Sequence, residues 1–208
     1  MDETINKKFV ITIGRQRGSG GRTVGKELAR RFGIHYYDRE ILTVASHELG
    51  SDEEYLATLD ERSINVIHNI FPTAYDSLSF QYLPTSAELI GVQTRLIREF
   101  GQRHSCVIVG RCADYVLRDM PNVINIFLTA DPADREARIS RIYGISETEA
   151  RKQIKRMDSD RAKYYRSQTG QYWGNSANYH LCVNTSKLGV NETCDVVEKY
   201  VRQLLSHD

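Results

Sequence analysis

The stretch 9-FVITIGRQRGSGGRTVGKELARRFG-33 carries the reading of the fold. Phe9 to Ile13 is a short apolar run rich in β-branched residues, a glycine-rich turn follows, and Val24, Leu28 and Phe32 then recur at helical spacing. Gly33 is placed to end that helix in a left-handed conformation. Strand, glycine turn and helix in this order let backbone amides wrap around an anion. Gly18, Gly20 and Gly21 put no Cβ in the way, and the helix adds the positive end of its dipole. The ligand expected is a phosphate chain. The candidate binding residues are Arg15, Arg17, Gly18, Ser19, Gly20, Gly21, Arg22 and Thr23, with the Thr23 hydroxyl as the candidate magnesium ligand.

The turn departs from the P-loop pattern GxxxxGK followed by Ser or Thr: among other differences, Arg15 stands at the first glycine and Gly21 at the lysine. Arg22 is the favoured stand-in for that lysine, with Lys26 one helical turn on as the second candidate. A bare glycine cluster reads better as an ordinary flexible turn. The strand before it, the helix after it and three nearby arginines favour the phosphate cradle.

Outward from this stretch, 34-IHYY-37, 106-CVIVG-110, 123-VINIFLT-129 and 179-YHLCVN-184 read as further buried strands. Between them lie helical patterns, such as Leu89, Val92, Leu96 and Ile97, or Val196, Val197, Tyr200, Leu204 and Leu205. Strands apolar on both faces that alternate with helices predict an α/β fold, a parallel sheet of about five strands covered on both sides. Asp131-Pro132 predicts a helix start, with the carboxylate at N-cap and proline at N1. A helix is expected from Asp38, and residues 51–100 read as a helical insert that starts at Ser51 and breaks at Pro72 and Pro84. One domain over residues 1–208 accommodates all of this.

The composition agrees, with 40% hydrophobic and 26% charged residues and a formal net charge of +1. A nearly neutral chain is not built to coat nucleic acid, so anion binding must be local. No apolar run reaches the ~18 residues of a membrane helix, and MDETINKK has no apolar leader core, so no membrane partner and a cytoplasmic setting are expected. Cys106, Cys112, Cys182 and Cys194 lie far apart without metal spacing and read as reduced thiols, and a buried, inert Cys112 is favoured over a reactive one. Residues 151–166 hold seven basic side chains against Asp158 and Asp160, which fits either a solvated helix face or a basic flap.

The segments 11-ITIGRQRGSGGRTVGKELARRFG-33 and 36-YYDREIL-42 resemble the cytidylate kinase-like branch of the P-loop nucleoside monophosphate kinases. So do 107-VIVGRCADYVL-117, 123-VINIFLTADPADREARISRI-142, 156-RMDSDRAKYYRSQTG-170 and 181-LCVNTS-186, in the family's order. The resemblance implies a P-loop NTPase-type sheet, ATP and Mg²⁺ as donor, a nucleoside monophosphate of the CMP or dCMP kind as acceptor, and a cationic lid over residues 144–175. It implies further that Arg22, Arg156 and Arg161 act on the transferring group and that Asp38 and Arg111 hold the acceptor. The chain has Asp-Arg-Glu where related kinases have Asp-Thr-Gly, and Cys112 where cytidylate kinases have aspartate. Two other readings stay open: a nucleotide-binding regulator that lost transfer with its lysine, and a kinase for another phosphorylated metabolite. The insert over residues 51–100 would cover the acceptor or form a homodimer face.

Overall fold

A computed structural model of the chain describes residues 7–38 and 87–207. The helix expected from Asp38, and the Ser51, Pro72 and Pro84 signals, lie outside the described residues. The chain divides into two compact units, Met1–Asp38 with Phe100–Asp208, and Arg39–Glu99. The first of these units contains the sheet.

In chain order the elements are β1 (Val10–Arg15), α1 (Gly21–Phe32), β2 (His35–Tyr37), α2 (Ala87–Arg103), β3 (Cys106–Val109), α3 (Ala113–Val116), β4 (Val123–Thr129), α4 (Pro132–Tyr143), α5 (Glu147–Thr169), β5 (Leu181–Asn184) and α6 (Thr185–His207). The five strands form one parallel sheet in the order β2-β3-β1-β4-β5. A parallel sheet needs helical crossovers, and these bury it on both faces, which accounts for the continuous apolar runs in its strands. Ile11 and Ile13 of β1, Val107 and Val109 of β3, and Ile124, Ile126 and Leu128 of β4 form one core with Val24 and Leu28 of α1 and Val197 and Val201 of α6. The opposite face of β1 carries Thr12, whose hydroxyl donates to Asn125 Oδ1 at 2.7 Å, a polar pair in register between neighbouring strands.

Local signals place most boundaries. Gly33 closes α1 at φ 65°, with its N–H on Ala29 and Arg30 carbonyls. Asp131 and Pro132 do occupy the N-cap and N1 positions of α4, but the Asp131 side chain makes no cap hydrogen bond. It accepts instead from Asn184 Nδ2 and Lys187 Nζ, both at 2.8 Å, and so ties the end of β4 to the end of β5. β5 starts at Leu181 rather than Tyr179, whose ring packs against Phe127 with centroids 4.8 Å apart. The stretch expected as a basic flap is one continuous helix, α5, capped by Ser146 accepting from the Glu149 amide.

Candidate phosphate-binding site

The carboxyl ends of all five strands converge on one edge: Arg15 ends β1, Asp38 follows β2, Gly110 to Cys112 follow β3, Ala130 and Asp131 follow β4, and Thr185 follows β5. Ligands of open α/β sheets collect at this edge. The loop from Gln16 to Gly20 is built by donors that pull its carbonyls outward. Arg135 Nε donates to Arg17 O at 2.7 Å, Arg138 Nη1 donates to Gly18 O, and Thr185 Oγ1 donates to Ser19 O at 2.8 Å. Ser19, fully buried, donates its hydroxyl to Gln16 O at 2.9 Å and so closes the turn from inside. Gly18 and Gly20 sit at φ 81° and 84°, the left-handed region that glycine adopts without strain.

Gly20 is the N-cap of α1, no side chain caps the helix, and no acidic residue lies in its first turn. The opening amides of a helix have no intrahelical partner, so this end offers N–H donors and a positive dipole together. Thr23 lies exposed in that first turn.

The cations around the loop are arranged by two carboxylates, one buried and one half-buried. Asp38, 5% exposed, takes Arg22 Nε on Oδ2 at 2.8 Å and Arg15 Nη2 on Oδ1 at 3.4 Å. Asp158 of α5 accepts from the Arg17 backbone N–H at 2.8 Å and pairs with Arg135 and, at 3.6 Å, with Arg161. Arg161 is buried and donates Nη1 to Arg15 O at 3.0 Å. Burial first, and then the neighbouring charges of Arg15, Arg17 and Arg22, push its guanidinium pKa well below the ordinary arginine value, with Asp158 opposing. The buried Arg17 lays its guanidinium over the Tyr143 ring, 5.0 Å from the centroid.

The structure thus brings Arg15, Arg17, Arg22, Arg161 and Asp38 together around the glycine turn. Arg156, on the same helix as Arg161, is exposed. Arg111 is half-buried at the next strand end, where Gly110, Arg111 and Cys112 adopt φ of 78°, 59° and 54° in succession. Non-glycine residues adopt this region at a cost, and such strain gathers at functional turns. Cys112 is buried, which pushes its thiol up to about 12, as expected of an inert cysteine.

Sequence reading missed Arg135, Arg138 and Asp158. Their side chains shape the loop from α4 and α5, and the one available signal was the helical spacing of Arg135 and Arg138. It also missed Asp114, a buried carboxylate that accepts from Tyr165 Oη at 2.7 Å and joins α3 to α5; burial raises its pKa, and that hydrogen bond opposes the rise.

Comparison with known proteins agrees with this architecture. The sequence model of the cytidylate kinase-like family matches residues 10–187. A cytidylate kinase of Methanopyrus kandleri is 24% identical over 208 residues, 96% of each chain. An uncharacterized protein from Eubacterium ventriosum superposes with a TM-score of 0.71 and 27% identity over 94% of this chain and 99% of that one. A shikimate kinase from Acinetobacter baumannii shares the fold at a TM-score of 0.53 and 15% identity, over 99% and 98% of the two chains.

Proposed function

The chain belongs to the cytidylate kinase-like family, and from that premise we propose that it transfers the γ-phosphoryl group of Mg-ATP to a nucleoside monophosphate of the CMP or dCMP kind. The observation that carries the reading is the cluster of arginines at an uncapped helix start, where the guanidinium of Arg161 is disfavoured first by burial and then by its neighbours. A polyanion removes that repulsion. Phosphoryl transfer asks a protein chiefly to aim two phosphates and to neutralise the charge spread over the equatorial oxygens.

In this reading the turn from Gly18 to Thr23 cradles the donor phosphates on backbone amides, and Arg15, Arg22 and Arg161 face the transferring group. Arg111, held at a strained strand end beside them, takes the acceptor phosphate. An acceptor phosphate oxygen attacks the γ-phosphorus, and the bond to the β,γ-bridging oxygen breaks with its electron pair leaving on ADP. The acceptor is ionised at neutral pH, so aim replaces a general base. Magnesium takes few protein ligands and keeps phosphate oxygens and waters for the rest, which the exposed Thr23 hydroxyl suits. When bound it neutralises phosphate charge. Residues 51–100 are the acceptor-side insert and residues 144–175 the lid in this reading. Among the described residues no helix is long and apolar enough to cross a membrane.

The test is ADP release from Mg-ATP against CMP, dCMP, UMP and phosphorylated metabolites, beside ATP-binding calorimetry. Turnover that depends on a nucleoside monophosphate is the expected result. Binding without turnover would support the second reading, a regulator that lost transfer, which Gly21 at the lysine position favours.

A further inference from the structure

Resting on the kinase reading, we propose that Arg15 and Gly21 are the two halves of one exchange. The cation that the P-loop pattern places after the turn, at position 21, is supplied here from before it, by Arg15 at the end of β1. Gly21 is glycine because the stem of Arg15 lies where a side chain at 21 would begin.

A Cβ built on Gly21 falls 2.7 Å from Arg15 Cγ and 2.8 Å from Arg15 Cβ. These are the first atoms of the arginine side chain, not its mobile tip, so only a backbone shift or a new Arg15 rotamer would make room. Both backbones are held. Arg15 is the last residue of a central strand, paired in register with Leu128, and its carbonyl accepts from Arg161. Gly21 is buried as the first residue of α1. A lysine at 21 and an arginine at 15 therefore exclude one another.

Past Gly21, the Arg15 side chain reaches Gly110, where a Cβ would meet its Nη1, and then Asp38 Oδ1 at 3.4 Å. Two residues without a Cβ thus flank the arginine along its length and deliver its guanidinium to the strand edge between the phosphate turn and the loop after β3. There it shares the Asp38 carboxylate with Arg22. A guanidinium can bridge two phosphate oxygens with parallel N–H donors, a task for which lysine has no equivalent geometry. Arg22 suits the lysine's place less well. Its Nε is drawn 2.8 Å from Asp38, and it leaves α1 about 100° around the helix axis from position 21.

The test is a double-mutant cycle on the full chain, Arg15→Gly, Gly21→Lys and the pair together, read by ligand-free melting temperature, Mg-ATP affinity and turnover. Gly21→Lys alone should lower the melting temperature. Arg15→Gly alone should weaken Mg-ATP by about 10- to 100-fold, the range of a charge-assisted hydrogen bond. The double variant should recover both. A Gly21→Lys protein as stable as wild type, or a double variant no better than Arg15→Gly, overturns the proposal. Should Arg15→Gly fail to fold, two milder variants decide. Arg15→Gln keeps the stem and drops the charge, so stability should hold while ATP affinity falls. Gly21→Ala adds only the Cβ, so stability should fall. Wild-type protein that binds no nucleotide would sink the kinase reading itself. Wild-type turnover that Arg15→Gln leaves intact would sink only the exchange.

Discussion

The two ends of α1 hold arginines in opposite electrical settings. At its C-terminal end Arg30 and Arg31 meet Glu27 at 2.7 and 2.9 Å, and Arg31 reaches Asp195 at 2.5 Å and Glu198 at 3.1 Å on α6. Hydrogen bonds from the two guanidiniums hold the Glu27 carboxyl at about 2, and the same bonds push both arginine pKa values up. Cations here also complement the helix dipole. At the N-terminal end Arg15, Arg17, Arg22 and Arg161 crowd around Asp38 and Asp158, and Arg161 is shifted the other way. Arg22 in the first turn opposes the dipole as well. The first cluster pairs its cations with carboxylates on α1 and α6, while the second gathers four arginines around two carboxylates.

The sharpest way to break this contrast is Arg161→Met. Turnover should fall on the order of 10²- to 10³-fold, the effect of removing a preorganised donor at developing charge. Its ligand-free melting temperature should stay within about 3 °C of wild type, because relieved repulsion offsets the lost bond to Arg15 O. A large drop in melting temperature with turnover intact would make Arg161 a structural residue like Arg31.

Arg31→Met is the mirror experiment. It strands carboxylates on α1 and α6, so thermal denaturation should come about 2–4 °C earlier, with kcat and KM unchanged. A loss of activity in this variant would erase the distinction between the two ends.

The smallest effect is the acid limb of stability. Glu27 is held below its ordinary value of 4.5, so its contribution is complete above that pH and disappears as pH falls through about 2. Denaturant melts of wild type and Glu27→Gln should differ at pH 7 and converge toward pH 2. A gap that persists at pH 2 would mean that Glu27 acts by packing rather than by charge.

Much of the frame could be read in the residues because its causes are local. The strand over residues 123–129, the stop at Gly33 and the helix start at Pro132 depend on side-chain period, on a left-handed cap and on a fixed φ, and the structure keeps all three. Arg156 and Arg161 marked the limit of that approach. They are equal members of one basic run, yet one is exposed and the other buried against the end of β1, because α5 turns only one face to the sheet edge. Arg135 and Arg138 went unassigned for a related reason: their work is done on carbonyls more than a hundred residues away in the chain.

By itself the sequence determined the parallel α/β frame, the glycine turn between β1 and α1, and the fact that positions 15 and 21 of that turn depart from the P-loop pattern. Each departure looks independent there, since spacing along a chain carries no information on which side chain crosses which backbone. Only the tertiary structure decided that Arg15 lies across Gly21, that Asp38 binds two of the loop's arginines, and how differently the arginines at the two ends of α1 are surrounded. The physical reason is that excluded volume and charge balance are set by neighbours in space, which the fold supplies from β2, α4 and α5.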